Sequence, residues 1–157
     1  YWSATSVNAP SVEDQRGAPI SANGKRSVVY DRVKLMSQEI QNLAGVFLGS
    51  KVVSIRHTGL GRIPAGTIRL TSLPKAIKVL DTNGAPAIVS VLQNGDDAFL
   101  VVVNKDFLNS INLTVFGDES LKKILKDGTI VPASAYESSL ELEPGDVAVY
   151  MFPASEI

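Results

Sequence analysis

The stretch that decides the fold is Ala87-Ile88-Val89-Ser90-Val91-Leu92-Gln93-Asn94-Gly95-Asp96-Asp97-Ala98-Phe99-Leu100-Val101-Val102-Val103. Two apolar runs rich in β-branched residues, 87–92 and 98–103, flank Asn94-Gly95-Asp96-Asp97. That turn carries the residue types a tight β-hairpin needs, with glycine free to take a positive φ. The second run is apolar without interruption, which suits a central strand of a packed sheet rather than one with a wet face.

Working outward, the same grammar repeats. Ile111, Leu113 and Val115 alternate with Asn112, Thr114 and Phe116, the period of a half-buried strand. Leu121–Leu125 and Thr129–Val131 flank Lys126-Asp127-Gly128, a second hairpin. Glu143-Pro144-Gly145-Asp146 has Pro and Gly where a type II turn wants them, and a last strand, Val147–Phe152, follows. With Val52–His57 and Ile77–Asp81 the chain offers about eight or nine short strands at regular spacing, the pattern of an antiparallel β-sandwich.

One segment breaks the pattern. Val29, Val33, Met36, Ile40, Leu43 and Phe47 recur at helical spacing, so residues 27–48 read as one long amphipathic helix. Ser27 is its expected N-cap, and Asp31 lies near the positive end of the helix dipole. Gly49 is the expected residue past its end, with Gly45 as an earlier stop. An amphipathic helix ahead of a β-sandwich must bury its stripe on something. Before it, residues 1–26 are small and polar with scattered Pro and Gly, and read as loop.

Composition closes off several classes. The 157 residues include 15 Lys plus Arg against 16 Asp plus Glu, and 45% are hydrophobic. That is too apolar and too neutral for a disordered chain, and there is no basic excess to neutralise a nucleic-acid backbone. No apolar run approaches the roughly 20 residues of a membrane-spanning helix. There is no cysteine and only one histidine, His57, which excludes disulfides, thiolate metal sites and multi-histidine metal centres. No cofactor is expected. The chain opens Tyr1-Trp2-Ser3-Ala4-Thr5, without Met and without the charged-then-apolar pattern of a signal peptide, and reads as a mature or excised piece.

The order of the pieces carries a resemblance. Tyr1-Trp2 is followed by Gly17-Ala18-Pro19-Ile20, by Asn23-Gly24-Lys25-Arg26, by Tyr30-Asp31-Arg32-Val33 and Met36-Ser37-Gln38-Glu39-Ile40, and then by Val53-Ser54-Ile55-Arg56-His57-Thr58. This resembles the exit from the (β/α)8 barrel of glycoside hydrolases of the β-galactosidase-like superfamily, of the Bacteroides type. In those enzymes an aromatic pair ends the last barrel strand, a loop leads into the last helix, and a β-sandwich closes after a Pro-Gly turn like Pro144-Gly145. The pattern's Thr is replaced here by Arg26 or Ser27, and its helix Asn by Ser37.

The resemblance implies two regions: residues 1–49, the loop and terminal helix of a barrel, and residues 50–157, a C-terminal β-sandwich. It implies a barrel domain as partner, a periplasmic or extracellular location, and no catalytic residue in this chain, because the family's carboxylates sit on earlier barrel strands. It also implies that Trp2 faces the substrate cleft. There Trp2 would form the aromatic platform under a sugar ring. The alternative is a carbohydrate-binding or adhesion sandwich acting on its own, with Phe107, Phe116, Tyr136 and Tyr150 as candidate aromatics.

Read from the residues alone, the chemistry is sparse. Glycoside hydrolysis needs two apposed carboxyls, and the acidic clusters are Glu13-Asp14, Asp96-Asp97, Asp118-Glu119 and Glu141/Glu143. All read as surface acids; Asp96-Asp97 sits in a turn that favours Asp, and Glu141 and Glu143 fall on the solvent face of a strand. His57 reads as a strand-end histidine with no Ser or carboxylate beside it to complete a triad. Gly59-Leu60-Gly61-Arg62 lacks the remaining residues of a phosphate loop. Lys122, Lys123 and Lys126 read as a solvated edge that discourages strand pairing.

Overall fold

The computed structural model describes residues 17–21, 23–136 and 139–157. The chain divides into two compact units, Tyr1–Leu43 and Ala44–Ile157.

In the first unit a tight turn precedes the helix. Asn23 Oδ1 accepts from Ser21 Oγ at 2.6 Å and from Lys25 N at 3.1 Å, while Gly24 takes φ 79° and Ile20 bridges Arg26. Ser27 then caps α1 (Val28–Asn42), its Oγ accepting from Val29 N at 3.2 Å and donating to Ala18 O at 2.7 Å. The helix therefore starts where the sequence places it. It ends earlier than expected. Leu43, at φ −92° and ψ 4°, leaves the helix, and a separate single turn, α2 (Ala44–Phe47), opens the second unit. Gly45 has the weakest helix preference of the non-proline residues, which makes the junction the weak point of the periodic run. Phe47 thus drops out of the α1 stripe. No residue of α1 is buried; Met36 is 45% and Ile40 61% exposed.

In the second unit, Gly49 follows α2 at φ 78°, the left-handed residue that ends a helix. Nine strands come next: β1 (Lys51–His57), β2 (Ile77–Asp81), β3 (Ala87–Asn94), β4 (Asp97–Asn104), β5 (Ile111–Gly117), β6 (Lys122–Ile124), β7 (Ile130–Pro132), β8 (Leu140–Leu142) and β9 (Val147–Pro153). They form two antiparallel sheets, ordered β1-β3-β4-β9-β6-β7 and β2-β5-β8. The β3–β4 hairpin pairs Ala87 with Asn104 through Asn94 with Asp97, and Gly95 at φ 61° turns it. Only the first of the two loop residues has a positive φ, the mark of a type II′ turn. At the other turn Gly145 has φ 74°, and Asp146 N donates to Glu143 O at 3.0 Å.

The core lies on one face of the six-stranded sheet. Val89 and Val91 of β3, Leu100 and Val102 of β4, and Tyr150 and Phe152 of β9 share it with Ile111, Leu113 and Val115 of β5. The alternate residues of β4, Phe99 and Val101, are buried as well. Burial on both faces accounts for the uninterrupted apolar run.

Of the three lysines around the β6–β7 hairpin, Lys122 and Lys126 are exposed as expected, but Lys123 is not, and β6 is not an edge strand. β6 lies between β9 and β7, Lys123 is buried with its ammonium 5.7 Å from the Tyr150 ring centroid, and Lys126 pairs with Asp146 at 2.8 Å. Burial pushes the Lys123 amine below its ordinary value, Asp146 opposing that, and burial raises the Tyr150 hydroxyl to about 12. On this side of the six-stranded sheet the edge strand is β7, and Pro132 blunts it.

Two glycines make opposite predictions. A Cβ on Gly117 would collide with the Ala76 carbonyl and the Leu121 side chain. Gly117→Ala is expected to cost about 1–3 kcal/mol in urea unfolding. Gly45 lies in α2 with nothing near its Cβ position, and Gly45→Ala is expected to stabilise by about 0.5–1 kcal/mol, read as a higher urea midpoint.

Candidate functional site

The densest polar construction lies where β4 leaves the sheet. Asn104 is wholly buried at the end of β4. Its Nδ2 donates to Asn109 O at 2.9 Å, Leu142 O at 3.2 Å and Glu143 O at 3.0 Å, and its Oδ1 accepts from Asp106 N at 2.9 Å. Asp106 continues the chain of bonds. Its Oδ1 accepts from Leu108 N and Asn109 N at 2.8 and 3.1 Å, and its Oδ2 from Asn109 Nδ2 at 3.0 Å. These bonds, the Asn109 side chain first, hold the Asp106 carboxyl below its ordinary value. Gly145 N donates to Asp106 O, tying the loop to the Pro-Gly turn. The pinned loop carries Phe107 at its tip, 82% exposed. The sequence signal was present but unread: Asn and Asp two apart after an apolar strand favour side-chain capping of a turn.

His57 ends β1 and is only 6% exposed. Its backbone bonds to Ile68 O and Leu70 N, and its Nδ1 lies 3.4 Å from Lys105 Nζ. Burial, then the Lys105 charge, lowers its pKa from the ordinary 6.5. Among the described residues the ring faces a cation rather than a carboxylate, so it has no orienting acid.

The other candidates disperse. Asp96, Asp97, Glu119, Glu141 and Glu143 are exposed, and Asp118 is occupied by Ser120 N and Oγ. Among the described residues no group of three or more acids or histidines is placed to hold a metal. Nor is any helix long and apolar enough to cross a membrane. Gly59 and Gly61 turn carbonyls toward the Arg69 guanidinium, the reverse of the N–H cradle an anion needs. Trp2, Glu13 and Asp14 lie outside the described residues, as does the Tyr136 side chain. Of the remaining aromatics Tyr150 is core, Phe116 half-buried and Phe107 exposed.

Two small cavities lie among the described residues. One, of about 180 Å³, lies between the end of β5 and the start of the 3-10 turn Ala133–Tyr136, beside Asp118 and Glu119. The other, of about 160 Å³, lies between β1, β3 and β4 and the segment 70–74. Comparison of the chain with family models, with characterised proteins and with solved structures finds no match.

Asn104→Ala removes an amide that serves three carbonyls, and is expected to cost about 1–3 kcal/mol in chemical denaturation. The His57 shift has a definite sign. Its folded pKa lies below 6.5, so the unfolded chain takes up the proton first and stability falls as pH drops below about 6.5. His57→Gln is expected to flatten that part of the stability–pH curve, read from thermal melts between pH 7.5 and 5.

Proposed function

We propose that this chain is the non-catalytic C-terminal region of a glycoside hydrolase: the last loop and helix of a (β/α)8 barrel, then a β-sandwich that packs on the barrel and stabilises it. The observation that carries the reading is the helix. α1 has an apolar stripe at helical spacing, yet none of its residues is buried, and Met36 and Ile40 stay open to solvent. An isolated 15-residue helix is marginal in water without a partner for its apolar face. A barrel is such a partner. The scatter of exposed acids agrees with catalysis residing on earlier strands, and the resemblance adds a periplasmic or extracellular setting. Trp2 would face the sugar cleft of the intact enzyme.

Two measurements test this. The chain is expected to give no turnover with a panel of aryl glycosides; turnover would overturn the non-catalytic reading. The reading frame upstream of Tyr1 is expected to encode preceding βα units with two carboxylates at strand ends; a frame opening at Tyr1 would remove the barrel. A second reading, a sandwich binding polysaccharide by itself, is favoured by exposed Phe107 on its pinned loop. It expects calorimetric glycan binding that Phe107→Ala abolishes.

A further inference from the structure

Three apolar side chains stand almost bare at one end of the sandwich. Leu60 is 91% exposed, Phe107 82% and Leu108 75%. The register brings their loops to the same end: His57, Ile88, Val103 and Val147 lie in one row across β1, β3, β4 and β9, and Leu60 and Phe107 each follow shortly after that row on the chain. Leu60 N donates to Gly84 O, in the turn between β2 and β3. Neither loop is slack. Leu108 N donates to Asp106 Oδ1 at 2.8 Å within the bonded network of Asn104 and Asp106. The Arg69 guanidinium holds the carbonyls of Gly59 and Gly61, on either side of Leu60. A single exposed leucine is ordinary, but three bare apolar tips on two fixed loops at one end mark an interaction surface.

The surrounding charge selects the partner. The two loops, 58–69 and 105–110, carry three cations, Arg62, Arg69 and Lys105, and one acid, Asp106. The Asp106 oxygens already accept three N–H bonds from Leu108 and Asn109. Of the other acids at this end, Asp81 accepts from Asn83 N, Asp146 pairs with Lys126, and Glu143 is exposed. The tips themselves project, and neither of the two cavities includes them. Projecting side chains suit a partner that yields around them. A lipid interface does so, taking apolar tips into the acyl boundary while Arg and Lys heads stay among the headgroups.

We propose that this end of the sandwich docks on an anionic lipid surface through Leu60, Phe107 and Leu108, with Arg62, Arg69 and Lys105 facing the headgroups. The attachment is peripheral and needs no membrane-spanning helix, none of which occurs among the described residues. It is independent of the barrel reading, because no residue of α1 takes part.

The test is flotation of the whole chain with phosphatidylcholine vesicles and with vesicles of equal parts phosphatidylcholine and phosphatidylglycerol. Binding to the anionic vesicles is expected to be about tenfold to a hundredfold tighter, and to weaken as salt is raised. Phe107→Ala and Leu60→Ala are each expected to weaken it about tenfold, the loss of one buried apolar side chain. Both side chains are exposed, so thermal melts of the variants are expected to match that of the parent chain; the headgroup and salt comparisons use the unaltered chain. Equal partition onto neutral and anionic vesicles, no partition onto either, or anionic binding untouched by both substitutions would each overturn the proposal. Glycan binding abolished by Phe107→Ala, with no vesicle binding, would assign the ring to a sugar and overturn it as well.

Discussion

Removal of Leu100 and Val102 from water holds the sandwich together. Both are fully buried, and they share one core with Leu113 and Val115 of the smaller sheet. A hydrophobic face is worth burying only if the backbone polar groups carried in with it are paired. β4 meets that condition because β3 and β9 flank it in unbroken register, from Asp97 to Asn104 on one side and from Asp97 to Val103 on the other. Where the ladder stops, Asn104 takes over and satisfies carbonyls that the strands no longer reach. Packing and hydrogen bonding are therefore continuous along this strand, and the remaining strands are arranged around it.

The parts of the fold legible in the sequence are those governed by neighbours in the chain. The β3–β4 hairpin, the Pro144-Gly145 turn and the Ser27 cap each depend on a few adjacent residues, and each stands where those residues put it. The parts that escaped depend on distant ones. Lys123 reads as a surface lysine until β9 brings the Tyr150 ring to it. β8 is three residues long and is specified by its pairing with β5 rather than by its own pattern.

The candidate chemistry follows the same division. Exposed acids in turns were legible as such, because turn residues declare themselves locally. His57 was legible as a strand end, but its Lys105 neighbour, 48 residues away, was not. Arg56 carried no signal at all. Its alternation with Ser54 looks like a wet strand face, whereas the register puts both on the side of Val89 and Val91. Polar residues on an inner face are visible only once two strands are aligned.

The clasp made by Arg69 has an architectural consequence. Its guanidinium gathers the carbonyls of Gly59 and Gly61, so the long connection between β1 and β2 is fastened to itself near its start. The residues between the fastened points, 62–68, form a self-closed bight whose ends are fixed whatever it contains. Extra length added there enlarges the bight without tugging on either sheet, which makes it the natural place on this scaffold to graft a foreign peptide.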